Sequence, residues 1–157
     1  MSELRIGTGV DAHALEPGVP LVLGGVSFDS PRGLAGHSDG DVITHALIDA
    51  VLGAAGLGDI GSLFPSDSST PEGVSSLDLL DDALAQVRAA GYAVVNADCV
   101  LIGEEPRIAN RRAEMVELLS ARVGAPVNVR ATTTDGLGFA GRGEGLAAEA
   151  VALVEKP

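Results

Sequence analysis

Glycine sets the first limit on the fold. Twenty-one of the 157 residues are glycine, and strand-like and helix-like stretches follow one another between glycine-rich breaks. A residue without a Cβ tolerates left-handed turns and lets backbones approach each other or a ligand closely. Glycine is therefore expected to gather at turns and where ligands bind. Residues 4–11 and 20–28 read as strands, with a turn-rich stretch over 14–19 between them. A helix follows over about 41–55, with Ser38 or Asp39 as its cap and Ile43, Ala46, Leu47, Ala50, Val51 and Ala54 as its apolar stripe.

Residues 56–73 form a long polar loop of the kind that is either functional or disordered. A second helix is expected over 75–90, with Ser75 and Asp78 as a capping box and Gly91 as its stop. A strand over 92–103 follows, with Val95, Ala97, Cys99 and Leu101 as its apolar face. A third helix is expected to start at Pro106 and end near Gly124. Another strand covers 126–133, and a glycine run over 136–145 leads into 146–154, where alanine content favours helix and the Val-Ala-Leu-Val ending favours strand.

The length fits one domain over 1–157 with a core that folds without staples. No apolar run approaches the ~20 residues of a membrane span. No secretory signal pattern is visible, and the single cysteine, Cys99, suits a reducing compartment. A cytoplasmic location is therefore expected. A net charge of −12 argues against nucleic acid or an anionic membrane as partner, since both are held mainly by Lys and Arg. A phosphate-bearing substrate would need metal ions, backbone amides and local arginines to offset that field.

All three histidines, His13, His37 and His45, lie in the first third of the chain among acidic residues. Two imidazoles and a carboxylate are the ligand set of a catalytic zinc ion, whose fourth position stays open. Asp11 and His13 share one face of a strand end, and His45 lies on the following helix, where Asp41 is its neighbour four residues back. The spacing is equally that of a polar strand end and a helix cap. His37 would close the site as a fourth ligand, so a role beside the substrate or behind the ligands suits it better. In the run from Ala131 to Asp135, the hydroxyls of Thr132, Thr133 and Thr134 are phosphate donors and Asp135 is a hard oxygen ligand suited to Mg²⁺. A Thr-rich strand end with a capping Asp reads the same way. Arg142, in the glycine run, could take a phosphate bidentately or sit in an exposed connection. Cys99 reads as an inert core residue.

In order along the chain, the motifs Arg-Ile-Gly-Thr-Gly-Val-Asp-Ala-His (5–13), Leu-Gly-Gly-Val (23–26), His-Ser-Asp-Gly-Asp-Val (37–42) and His45-Ala-Leu lead to Gly-Leu-Gly-Asp-Ile-Gly (56–61) and Leu-Phe-Pro (63–65). Ala-Thr-Thr-Thr (131–134) and Leu-Gly-Phe-x-Gly-Arg-Gly-Glu-Gly (137–145) complete the series. The combination resembles the 2-C-methyl-D-erythritol 2,4-cyclodiphosphate synthase family of the non-mevalonate isoprenoid pathway. The resemblance implies an α/β (α+β) two-layer sandwich, with a four-stranded mixed sheet carrying helices on one face, assembled as a homotrimer with active sites between subunits. It settles 146–154 as strand.

The same resemblance implies a phosphorus–oxygen lyase that turns 4-diphosphocytidyl-2-C-methyl-D-erythritol 2-phosphate into the cyclic diphosphate and CMP. Zn²⁺ would sit on Asp11, His13 and His45, and Mg²⁺ or Mn²⁺, bridging the substrate phosphates, on Asp135. His37 and Thr133 would align the phosphates. Ser38, Asp59, Ile60, Gly61, Phe64 and Asp67 would hold the methylerythritol phosphate. Gly103, Pro106, Arg107 and Ile108, with Ala131, Thr132 and Thr134, would hold the CDP portion. Phe139 and Arg142 match positions tied to substrate or to an isoprenoid diphosphate in a central cavity. Asp135-Gly136 departs from the family's usual Glu followed by a basic residue, and Ser75-Ser76 from an Asp-Ser pair. The ligand set alone also allows a zinc hydrolase acting through metal-bound water, and the fold allows a binding module without turnover.

Overall fold

A computed structural model describes residues 1–157. Strand β1 (Glu3–Pro17) is followed by the short strands β2 (Leu21–Leu23), β3 (Val26–Phe28) and β4 (Arg32–Leu34). Helix α1 (Val42–Ala55), a single turn α2 (Ile60–Leu63) and helix α3 (Ser76–Ala89) come next. Strand β5 (Ala93–Ile102), helix α4 (Arg112–Val123), strand β6 (Val127–Thr132), a turn α5 (Gly138–Gly141) and strand β7 (Gly145–Lys156) complete the chain.

The main sheet has the order β4-β1-β7-β5-β6, with β5 and β6 parallel and the other pairs antiparallel. It has five strands, not the expected four. The reason lies in β1, which runs through the stretch read as a turn and pairs its far end, Leu15 to Pro17, with β4. The expected strand over 20–28 is instead a hairpin, β2 with β3. Its tight turn needs two left-handed residues, and Gly24 and Gly25 supply them at φ 56° and 79°.

The propensity conflict at the last segment resolves as strand. β7 is hydrogen-bonded on both sides, to β1 and β5, and tertiary pairing overrides the helix preference of its alanines. Ala148, Ala150 and Ala152 face inward and are fully buried. On β5 a register shift between Val94 and Asn96 turns Val95 out of the apolar face predicted for it. The third helix starts at Arg112, six residues beyond Pro106, and ends at Gly124 in a left-handed cap, as expected.

The helices pack on one face of the sheet, with α1 against β1 and β7 and α3 across α1. Twelve of its 14 residues are buried, so α1 is a core helix with no solvent face. It lies very close to β1: a Cβ added at Gly9 would stand 2.0 Å from the carbonyl oxygen of Ala46, and one at Gly7 2.2 Å from that of Ala50. Only a strand without side chains at those two inward positions admits the helix backbone. The other sheet face is bare and partly apolar: Leu4, Ile6, Val10 and Val151 are exposed.

Candidate metal centre and flanking cavities

Past Gly7 and Gly9, the inward positions of β1 become Asp11 and His13, both half-buried. The close approach of α1 brings His45, in its first turn, down onto them. Asp11 Oδ2 lies 2.8 Å from His13 Nε2 and 3.1 Å from His45 Nδ1. The two imidazole nitrogens are 3.3 Å apart. One ligating atom from each residue falls within 4.8 Å of the others, the grouping a metal ion needs.

The outer hydrogen bonds decide which nitrogens face inward. His13 Nδ1–H donates to the Ala35 carbonyl at 2.8 Å, so Nε2 carries the lone pair. The outward nitrogen of His45, Nε2, sits 2.9 Å from Ser38 Oγ and 2.8 Å from Ser76 Oγ. With that nitrogen as donor, Nδ1 also presents a lone pair. Two lone pairs and a carboxylate then converge on one point, which demands a cation or added protons between them. Two imidazoles, one carboxylate and outer partners on the second nitrogens fit zinc with an open position.

Burial pushes the Asp11 carboxyl up, but His13 and His45, which donate to it when protonated, outweigh burial and hold it at about 2. As the acceptor, the Asp11 carboxylate favours the protonated form of His13 and raises it against the effect of burial.

A cavity of about 170 Å³ opens beside the three ligands. Of the sequence-predicted residues, His37, Ser38, Ile60, Gly61 and Phe64 line it. His37 Nε2–H donates to the Thr70 carbonyl at 2.6 Å. Ile60 is placed by its amide, which donates to Asp49 Oδ1 at 2.7 Å. Asp59 caps α2 in a reciprocal box with Ser62. Asp67 is turned into its own loop, where the amide and hydroxyl of Ser69 donate to it, and Ser66 and Thr70 line the cavity on that side.

Gly103, Pro106, Arg107 and Ile108 come together with Ala131, Thr132 and Thr133 around a second cavity of about 250 Å³. It shares no residue with the first. Asp135 is exposed at φ 53°, left-handed, with Thr133 Oγ–H directed at its carboxylate. Thr134 donates its hydroxyl to the Leu137 carbonyl. Asp135 is not part of the Asp11–His13–His45 group. Phe139 lines a third space with Ala12 and His13, and exposed Arg142 pairs with Glu144 at 3.1 Å.

Sequence reasoning missed Asp49, Thr70, Ser66, Ser76 and, in the second cavity, Arg112. Asp49 had a signal, since it follows His45 by four residues on a helix and shares its face. The others rest on loop paths and helix starts that no periodicity reveals.

A small α+β protein whose candidate three-ligand metal site is set between a glycine strand and a buried helix is the class that fold and site define. The chain belongs to the YgbB family, whose model matches residues 4–155. It is 54% identical over 153 residues to the 2-C-methyl-D-erythritol 2,4-cyclodiphosphate synthase of Aromatoleum aromaticum, covering 96% of this chain and 93% of that one. Among solved structures, the CDP-bound form of a 2C-methyl-D-erythritol-2,4-cyclodiphosphate synthase matches with a TM-score of 0.86 and 40% identity, over 96% of this chain and 99% of the other. The bifunctional IspDF of Campylobacter jejuni matches with a TM-score of 0.95 and 37% identity. All of this chain is covered there, against 43% of that longer one. The resemblance read from the motifs and these likenesses agree.

Proposed function

We propose that this chain is a 2-C-methyl-D-erythritol 2,4-cyclodiphosphate synthase, a lyase of the non-mevalonate pathway, acting on 4-diphosphocytidyl-2-C-methyl-D-erythritol 2-phosphate. An oxygen of the 2-phosphate bonds to the β-phosphorus. The bond from that phosphorus to the oxygen bridging to the α-phosphate breaks, and CMP leaves with that oxygen and the electron pair. The nucleophile is already an anion, so no general base is required. The barrier is the approach of two anionic phosphates, which positioning and opposing charge lower.

Asp11, His13 and His45 would hold Zn²⁺, and Asp135 would hold Mg²⁺ or Mn²⁺. When bound, these ions supply the Lewis-acidic charge that the net −12 of the chain lacks. His37, anchored through Nε2 on Thr70, aligns the 2-phosphate together with the Ser38 hydroxyl, and Thr133 donates to the β-phosphate. Asp59, Ile60, Gly61, Phe64 and Asp67 hold the methylerythritol end. Gly103, Pro106, Arg107, Ile108, Ala131, Thr132 and Thr134 hold the CDP end.

The enzyme acts as a homotrimer with composite sites, the CDP cavity of one subunit facing the metal ligands of the next. Two observations support this: the two cavities have no residue in common, and the bare apolar sheet face would be covered by such an assembly. Phe139 and Arg142 would then border a central space fit for an isoprenoid diphosphate. A reducing cytoplasm suits the single unpaired Cys99, and no helix is long and apolar enough to cross a membrane.

The observation that carries the reading is the convergence of Asp11, His13 and His45 in a chain similar to these synthases over nearly its whole length. The test is CMP release together with ³¹P NMR of the product. Cyclic diphosphate is expected, with turnover abolished by chelator or by His45→Ala. Undiminished turnover in both cases would overturn the proposal, and linear phosphate products would replace it with a zinc hydrolase.

A further inference from the structure

The outward nitrogen of His45 faces a serine whose only proton is already committed. Ser76 is fully buried at the start of α3, and its hydroxyl donates to Asp39 Oδ1. The amide of Ser76 donates to the other oxygen, Asp39 Oδ2, at 3.0 Å. Asp39 is itself fixed, since its Oδ1 also accepts from the Asp41 amide at 3.1 Å and its amide donates to the Val74 carbonyl.

A hydroxyl has one proton to give. With that proton on Asp39, Ser76 Oγ offers only lone pairs to His45 Nε2, 2.8 Å away. The contact is favourable only if Nε2 bears hydrogen. The proton of His45 is thereby kept on the outer nitrogen, and Nδ1 is left free to ligate.

We propose that Asp39 and Ser76 are positioning residues: a carboxylate–hydroxyl pair that locks His45 in the Nε2–H tautomer and aims Nδ1 at the metal. The proposal rests on the reading of Asp11, His13 and His45 as zinc ligands. Ser38, 2.9 Å from the same nitrogen, lacks this carboxylate. It accepts from the Gly40 amide at 3.3 Å, and its own proton remains free for the cavity.

Asp39→Asn makes the sharpest variant. The hydroxyl and the amide of Ser76 each face a different oxygen of Asp39, and an asparagine has an oxygen at only one of those two places. An amide NH₂ turned toward Ser76 Oγ would turn the serine O–H toward His45 Nε2 as a donor, which favours the Nδ1–H tautomer. Removing such outer partners typically costs 10–100-fold in metal affinity.

The experiment measures zinc affinity by chelator competition and the imidazole ¹⁵N spectrum at pH 8.5, metal-free and zinc-loaded, for the parent, Ser76→Ala, Ser76→Thr and Asp39→Asn. The parent is expected to show the Nε2–H form of His45. Asp39→Asn and Ser76→Ala are expected to lose 10–100-fold in zinc affinity, and Ser76→Thr, which keeps the hydroxyl, to recover most of it. A folded Asp39→Asn with zinc affinity within twofold of the parent, or an Nδ1–H parent, would overturn the relay. A lowered Tm with unchanged affinity and tautomer would overturn it too, because that is what a purely structural pair would do. If the variants do not fold, the parent's tautomer decides alone. A parent that shows Nε2–H but binds no zinc would overturn the metal reading instead.

Discussion

Asp11, Asp39 and Asp41 share a short acidic-histidine vocabulary in sequence, yet their surroundings give them three different jobs. Asp11 faces two imidazoles and is held at about 2. Asp39 ties the start of α3 to the segment before α1. Asp41 is the actual cap of α1, accepting from Thr44, where Ser38 or Asp39 had been expected. It is wholly buried and also accepts the amides of Gly24 and Gly25 at 2.9 and 2.8 Å. Burial raises its pKa, against the hydrogen bonds from Thr44. Asp41→Ala would orphan three amides, those of Gly24 and Thr44 buried and that of Gly25 half-buried, and is expected to cost about 3 kcal/mol or more, read from urea unfolding. Cys99 gives a second prediction at this scale. Burial pushes its thiol up to about 12, so at pH 8 almost no thiolate exists to react. A thiol reagent is expected to label nothing in the native protein and one group per chain in denaturant; labelling of native protein at a free-thiol rate would refute this burial. The residues that sequence pattern identified well were those whose chemistry is rare, the histidines and their nearest carboxylate. What it could not separate was one aspartate from another, because ligand, relay and cap differ only in what the folded chain puts opposite them.

Among the elements, the contact of β1 with α1 controls the site. Gly7 and Gly9 let the helix backbone rest on the strand, which fixes the separation between Asp11 and His13 on one side and His45 on the other. Gly9→Ala would set a Cβ 2.0 Å from the Ala46 carbonyl oxygen, and the helix would have to move. The expected result is a loss of about 1–3 kcal/mol in stability, typical of overpacking, and a fall in zinc affinity measurable by chelator competition. Gly53→Ala is the control for space, since a Cβ there meets only the Thr8 carbonyl oxygen at 3.8 Å, and it should leave zinc affinity unchanged. Existence and type were legible for the longer elements, because α1 and α3 carry strong apolar faces and β5 and β6 alternate. Boundaries were not: β1 continues through a turn-like composition because β4 pairs with it, a partner too short to announce itself. Pro106 likewise looked like a helix start, though the helix waits for Arg112.

At the scale of the whole molecule, one chain carries two cavities without a common residue and a sheet face with no cover. If neighbouring copies complete each other's sites, two inactive variants should repair one another. His45→Ala and Thr133→Ala are each expected to be nearly inactive alone. Subunits mixed under dissociating conditions and reassembled should recover a clear fraction of CMP release, since some sites then draw both halves intact. No recovery in verified mixed assemblies would place both halves in one subunit. Ile6→Glu, on the bare face at 72% exposure, should shift the sedimentation coefficient toward that of a monomer and lower activity with it.

The order of the main sheet also bears on how the protein comes into being. Glu3 pairs with Lys156 and His13 with Leu146, so the first long strand finds its place only against the last. Contacts so distant along the chain carry a high loop-closure cost and slow folding. Until β7 is inserted, the strand bearing Asp11 and His13 and the strand bearing Cys99 both present unpaired edges. Competence to bind metal is therefore expected to arrive late in folding, in the same step that pairs the inner edges of both strands.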